Sequence, residues 1–367
     1  MSGVDCLKVG FRSIKFQKKV YIKETGTVVG VKEGKSPLSE DFDRILDDDY
    51  FGEKSWEKAE SKMQKEAIKT AIEKSGQKEK DIDCVFAGDL MNQCVSSHYA
   101  MREIDIPFLG VYGACSTMVE SMLIGSMAVS GGFFDNVLCA TSSHFCSAEK
   151  QFRFPLDYGG QRPPSAQWTV TGSGCAFLTS EKSDIRIENA TPGKIIDMGI
   201  NDLNNMGAAM APAAVDTIIT HFKDFDLPMD YYDKIYTGDL GIIGSDVLCD
   251  LLNKSGLDLY SRHEDCGKII YDMTKEDVHA GGSGCGCCAS VFCGHLFKEL
   301  KRGNLKRILL VATGALMNAT IVQQGESIPV IAHAIGITTE NCKEWKNELF
   351  KSICCWGNYL CYRSDFY

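Results

Sequence analysis

The sequence predicts an α/β protein built from two related halves packed about a pseudo-dyad. Three observations carry that expectation. Strand-like and helix-like stretches alternate along the chain, which favours layered architecture with a largely parallel sheet. A β-prone run closes on Gly-Asp-Leu twice, at Gly88-Asp89-Leu90 and at Gly238-Asp239-Leu240. Each copy is followed by a Gly/Cys-rich turn, a helix, a Gly stop and a hydrophobic strand ending in Ala-Thr, at Ala140-Thr141 and Ala312-Thr313. The same order of elements twice marks a duplication with loop insertions.

The elements follow in order. Ser55 to Gly76 reads as a surface helix, because Trp56, Ala59, Met63, Ala67 and Ala71 recur at three- and four-residue steps. Ser55 is placed to cap its start and Gly76 to end it. Ile82 to Gln93 is the first strand with its Gly-Asp-Leu end. Ser116 to Ser130 is apolar nearly all round, as a helix buried on most sides should be. Gly131-Gly132 stop it, and Phe133-Phe134 lead into the strand VLCATSS. Phe152 to Gly174 holds three prolines and paired glycines and reads as a long irregular loop of functional length. The second central helix is expected over Ala289 to Lys301, ending at Gly303. The polar stretch around Ser183 divides the chain into halves 1–183 and 184–340, with a Cys- and aromatic-rich tail at 341–367.

Composition narrows the function. The 367 residues carry 39 Lys+Arg against 49 Asp+Glu, a net charge of −10. No basic stripe offsets that field, so nucleic acid is not an expected partner. The hydrophobic content of 44% is that of an ordinary globular chain. The first twenty residues lack the apolar core of a signal peptide, and no segment is apolar enough to span a membrane. Seventeen cysteines form an odd set, and most sit in apolar company, as Cys139 and Cys249 do. A reduced, intracellular, soluble protein is expected. Cys285, Cys287 and Cys288 are too tightly spaced for a structural zinc site, so no metal site is assigned.

Cys115 is the sharpest candidate for chemistry. It sits in Gly113-Ala114-Cys115-Ser116-Thr117, between the strand FLGVY and the buried helix. A helix N-terminus favours a thiolate and lowers its pKa, and it equally attracts any anion. A small apolar residue in a tight turn is the other reading. Among the seven histidines, His295 and His221 fall on helices and read as core or surface groups. His144, after VLCATSS, stands where α/β ligand sites gather, and His263 lies in a loop. Asp89 and Asp239 are either buried structural carboxylates or site residues, and the duplication favours structure for at least one.

These residues carry a family resemblance. The duplicated halves, with a Cys between strand and central helix in the first, resemble the thiolase/ketoacyl synthase superfamily. One branch is closer: AGDLMNQ, GACSTMVES, ATSSH, AEKQFRFPLDYGGQRP, TVTGSG, MGAAMAPAAVDTI, HAGGSGCGCCAS and VATGALMNATIVQQGESIPVIAH together resemble the stage V sporulation protein AD family over about residues 15–340. The resemblance implies a layered α-β-α-β-α fold and a homodimer. It implies a protein of spore-forming Firmicutes working with stage V sporulation A membrane partners at the inner forespore membrane. Its ligand would be dipicolinic acid, with Ca²⁺ entering only as a chelate of that ligand, and no other cofactor.

Cys115 matches the superfamily nucleophile, but its partners do not carry over. Thr237-Gly238-Asp239 stands where a His is expected, and the turn Gly281 to Cys287 has neither the Asn nor the His-Pro pattern. A non-catalytic binder is therefore expected, against a Cys-dependent acyltransferase or a scaffold for membrane partners. For a flat dicarboxylate, the helix N-terminus at Cys115, Ser116 and Thr117 offers donors, and Lys150, Arg153 and Arg162 offer cations. Phe152 and Phe154 flank Arg153 and offer a stacking surface. Asp89, Asn92, His144, Asp239 and His263 complete the candidate set.

Overall fold

The computed structural model describes residues 7–152 and 161–342. Along the main path of the sheet the first half contributes β1 (Ser13–Val29), β2 (Cys84–Gly88), β3 (Phe108–Gly110), β4 (Asn136–Ser143) and β5 (Gly172–Thr179), and the short strands Lys8–Val9 and Arg44–Ile45 pair with β1 off that path. The second contributes β6 (Ile185–Thr191), β7 (Lys234–Thr237), β8 (His263–Asp265), β9 (Arg307–Ala315) and β10 (Val330–Thr339). They run in the order β8-β7-β9-β10-β6-β1-β5-β4-β2-β3. Each half repeats the same scheme. An outer short strand pairs parallel with an inner one, the inner one pairs parallel with the Ala-Thr strand, and two further strands follow in antiparallel succession on the other side. The halves join where β1 and β6 pair antiparallel.

The helices follow the same duplication. The first half carries α1 (Trp56–Ser75), α2 (Val95–Met101), α3 (Thr117–Ser130) and α4 (Phe145–Phe152). The second carries α5 (Met206–Phe225), α6 (Gly241–Lys254) and α7, in which Cys285–Ser290 passes through a π turn at Val291–Leu296 into Phe297–Arg302. Helices α3 and α7 lie between the two halves of the sheet, and their apolar residues share one core with both. Helix α1 covers the outer face of the first half, while α5 and α6 cover the second. Five layers result, as the resemblance implies.

Local chemistry explains these boundaries. The Ser55 hydroxyl accepts from the Lys58 N–H at 3.4 Å, and Gly76 ends α1 in the left-handed region at φ 71°. The predicted face of α1 is buried at Ala59, Met63, Ala67 and Ala71, whereas Trp56 stays half-buried. Helix α7 begins at Cys285, four residues before the expected Ala289, because Gly286 packs into the helix instead of breaking it. The stretch from Phe152 to Gly174 is not one long loop. Trp168–Thr169 pairs in parallel with Gly282–Ser283, and Gly172 already belongs to β5. Arg153, Phe154 and nearly all of the tail fall outside the described residues.

Helix α1 approaches β1 so closely at Gly26 that a Cβ there would lie 2.2 Å from the Ala67 carbonyl oxygen. Gly26→Ala must push the helix off the sheet. Such overpacking costs about 1–3 kcal/mol, and urea denaturation should show a lowered midpoint with an unchanged slope.

Candidate functional site

The C-terminal ends of the parallel strands converge on a cavity of about 210 Å³. Leu90, Asn92 and Gln93 reach it from the segment after β2, and Tyr112, Ala114 and Cys115 from the turn after β3. Gln151 and Phe152 end α4 beside it. The second half supplies Ser283, Ala315, Leu316, Met317, Asn318 and Met206, and Thr169 completes the lining. Strand C-terminal ends are where open α/β sheets take their ligands. The lining is apolar with a few amides and hydroxyls, and no Lys, Arg, Asp or Glu is part of it among the described residues.

Cys115 stands at the mouth of α3 because the preceding turn is tightly tied. Ala114 takes φ 51°, an uncommon conformation for a residue with a side chain. The Ser116 hydroxyl donates to the Gly113 carbonyl at 2.7 Å, and the Thr117 hydroxyl donates to the Ala114 carbonyl at 2.6 Å. Ser116 and Thr117 therefore spend their hydroxyls on the turn and do not line the cavity. From the other half, Gly314 on β9 abuts this turn. A Cβ at Gly314 would lie 2.2 Å from the Gly113 carbonyl oxygen.

The electrostatics at Cys115 reverse the sequence expectation. The helix N-terminus alone would lower the thiol pKa, yet the pKa is raised well above its ordinary value. Burial is the largest cause, and the Asp239 carboxylate is the next. Burial and the neighbouring Asp239 charge both disfavour the thiolate, so the sulfur keeps its proton. Asp239 Oδ1 accepts from the Thr313 hydroxyl at 2.8 Å, and Oδ2 from the Gly284 N–H at 3.0 Å. Burial pushes Asp239 up to about 6, against the pull of these two donors. The group facing the sulfur is thus an acceptor anchored from β9 and the start of α7. Among the described residues no imidazole lines the cavity.

The remaining expected site residues separate. Asn92 and Phe152 line the cavity. Asp89 is fully buried behind it, accepting from the N–H groups of Met91 and Ser97 at 2.9 and 2.8 Å. His144 faces away, its Nε2 2.9 Å from the Asp49 carbonyl oxygen. His263 packs against Thr237 Oγ1 at 2.8 Å and Cys249, and burial pulls it down to about 3. Lys150 pairs with Glu57. Arg162 lies over the Trp168 ring and donates to the carbonyls of Gln167 and Asp277. The two described cations are therefore used elsewhere, a correction to the expected carboxylate clamp. Arg153 falls outside the described residues.

Sequence reasoning missed Gln93, Tyr112, Gln151, Ser283 and the segment Ala315 to Asn318. The signal for the last was present: it directly follows the duplicated Ala-Thr strand end. Among the described residues no group of three or more His, Cys, Asp or Glu side chains is arranged to hold a metal ion.

A family model described as Stage V sporulation protein AD matches residues 10–338. The chain belongs to the stage V sporulation protein AD family. Stage V sporulation protein AD of Bacillus subtilis (strain 168) is 46% identical over 320 residues, which cover 87% of this chain and 94% of that one. Membership in the stage V sporulation protein AD family makes this a protein of sporulation. Its fold is shared more widely. The 3-oxoacyl-[acyl-carrier-protein] synthase III of Aquifex aeolicus VF5 superposes with a TM-score of 0.54 at 11% identity, covering 87% of this chain and 99% of that one. Human mitochondrial 3-ketoacyl-CoA thiolase, solved in complex with CoA, superposes with a TM-score of 0.56 at 13% identity, covering 89% and 99%. These likenesses show a thiolase-like fold.

Thr313→Val removes a donor to Asp239 while keeping the side-chain shape. The loss falls on the ionised carboxylate, so it should cost about 1–3 kcal/mol at pH 7.5 and less at pH 5. At pH 5 Asp239, with its pKa of about 6, is mostly protonated. Denaturation midpoints of the two proteins at both pH values check this.

Proposed function

We propose that this protein binds dipicolinic acid in the Cys115 cavity and performs no condensation on it. The observation that carries this reading is the Cys115–Asp239 contact. Acyl transfer needs a thiolate together with a base and donors for the oxyanion. A protonated thiol beside a buried carboxylate offers the opposite arrangement. Ionising the sulfur would set a second negative charge beside Asp239 in a low-dielectric site.

The cavity chemistry supports a small, flat, polar ligand. Tyr112 and Phe152 offer aromatic faces, and Asn92, Gln93, Gln151 and Asn318 offer carboxamides able to donate to carboxylate oxygens. Because the described lining is uncharged, a bare dianion would lose hydration there without a compensating cation. The 1:1 Ca²⁺ chelate carries no net charge and suits the cavity better.

Two further readings rest on the family resemblance. The sheet ends at β3 with its outer edge unpaired among the described residues, and Leu109 and Tyr112 are exposed there. A second copy aligned along that edge gives the expected homodimer. No helix among the described residues is long and apolar enough to cross a membrane. A position at the forespore membrane is accordingly assigned to the membrane partners.

Titration calorimetry tests the ligand. Dipicolinate should bind, and adding equimolar Ca²⁺ should tighten binding by about tenfold, or about 1.4 kcal/mol. Cys115→Ala should keep the affinity within about threefold, because the thiol is held neutral beside Asp239. Incubation with acyl-CoAs followed by intact mass should show no adduct. A stoichiometric acyl adduct on Cys115 would restore the acyltransferase reading.

A further inference from the structure

Glu60 is fully buried on α1 and does not line the cavity. No Lys or Arg lies within ion-pair distance of it among the described residues. Its Oε1 accepts from the Ser142 hydroxyl at 3.0 Å, at the end of β4, and its Oε2 from the Ser147 hydroxyl at 2.5 Å, on α4. One turn beyond Ser147, α4 delivers Gln151 and Phe152 to the cavity. Asp89 lies close by: the preceding Gly88 pairs with Thr141, next to Ser142, and its carbonyl accepts from Gln64, one turn along α1 from Glu60, and Asp89 is the foremost charge raising Glu60. Asp89 holds the other wall: it accepts from Met91 N–H, and from the N–H and hydroxyl of Ser97 at 2.8 and 2.7 Å. The cavity residues Asn92 and Gln93 lie between those anchors, and Gln93 and Cys94 take φ values of 64° and 51°. The two walls also touch directly, since the Asn92 N–H donates to Gln151 Oε1 at 3.3 Å.

Two buried carboxyls with no Lys or Arg paired to them among the described residues cannot both carry charge at low cost. Burial raises both, Glu60 to about 8. The other ionisable groups facing the pair are His98 beside Asp89, Cys94, Tyr112 and Cys285. The three thiol and phenol groups are neutral near pH 7, because burial raises each of them. His98, on α2, faces Asp89, and its Nδ1 lies 2.9 Å from the Cys94 carbonyl oxygen.

We infer that keeping a proton on the buried Glu60 and Asp89 carboxyls, each anchored to one wall, clamps the Asn92–Gln93 wall to the Gln151–Phe152 wall, making Glu60 a positioning residue for the cavity. With one proton on the pair, Ser147 and Ser97 are held at a common distance. When the second proton leaves, repulsion separates α1 and α4 from the segment after β2, and the strained turn at Gln93 relaxes. The consequence for ligand binding rests on the dipicolinate reading; the clamp itself does not.

Hydrogen exchange without ligand tests the clamp, with rates corrected for their intrinsic pH dependence. Peptides covering 91–97 and 145–152 should lose protection together, by about tenfold or more, between pH 6.5 and 9. Glu60→Gln, which keeps an acceptor and carries no charge, should abolish that pH dependence. Ser147→Ala should loosen 145–152 alone, at every pH. Flat wild-type protection, or an unchanged slope in Glu60→Gln, overturns the inference; if Glu60→Gln does not fold, the wild-type profile and Ser147→Ala decide. Dipicolinate affinity should weaken over the same pH range in the wild type and not in Glu60→Gln. Exchange that behaves as described while dipicolinate fails to bind at any pH would refute the ligand and leave the clamp standing.

Discussion

A thiol and a carboxylate buried against each other organise this site. Cys115 comes from the first half and Asp239 from the second, and each sits at the end of a duplicated strand-to-helix connection. The carboxylate is held in place by Thr313 and by the Gly284 N–H, so it cannot swing away to leave the sulfur free. Its negative charge and the dry surroundings keep the proton on sulfur. The thiol at the mouth of α3 is thus a neutral, polar group on the cavity wall.

The duplication gives the two Gly-Asp-Leu aspartates related positions and different work. Asp89 ties down the segment that enters α2, through Met91 and Ser97. Asp239 instead crosses between halves to meet Cys115. In both cases a carboxylate at the end of a parallel strand satisfies backbone N–H groups that would otherwise be buried without partners. The price is two acids held in a medium that resists their charge, and both are raised accordingly.

Much of the fold was legible in the sequence. Ser55 and Gly76 bracket α1 through their own backbone chemistry, and the apolar run from Ser116 to Ser130 announces a helix enclosed by both halves. The repeated Gly-Asp-Leu and Ala-Thr ends located the strands and the level at which the site lies. Asp239 was legible because it closes one Gly-Asp-Leu end, Asn92 because it follows the other, Cys115 from the turn before the apolar run, and Phe152 from the stretch after the VLCATSS strand. What failed was long-range electrostatics. The thiol pKa follows from an aspartate 124 positions away, worked out as 239 − 115, and no local pattern carries it. Lys150 and Arg162 failed for the same reason: their partners, Glu57 and the Trp168 ring, are matters of tertiary contact. Helix α7 started early because glycines read as breakers can also be close-packing residues.

The most direct measurement is the pH dependence of iodoacetamide labelling at Cys115, read by peptide mass after quenching and compared with Asp239→Asn. The account predicts background labelling of the wild type at pH 7 to 8, with onset only well above pH 9. Asp239→Asn should bring that onset to lower pH, which also shows that the reagent reaches the sulfur. Rapid labelling of the wild type at neutral pH, unaffected by Asp239→Asn, would contradict it.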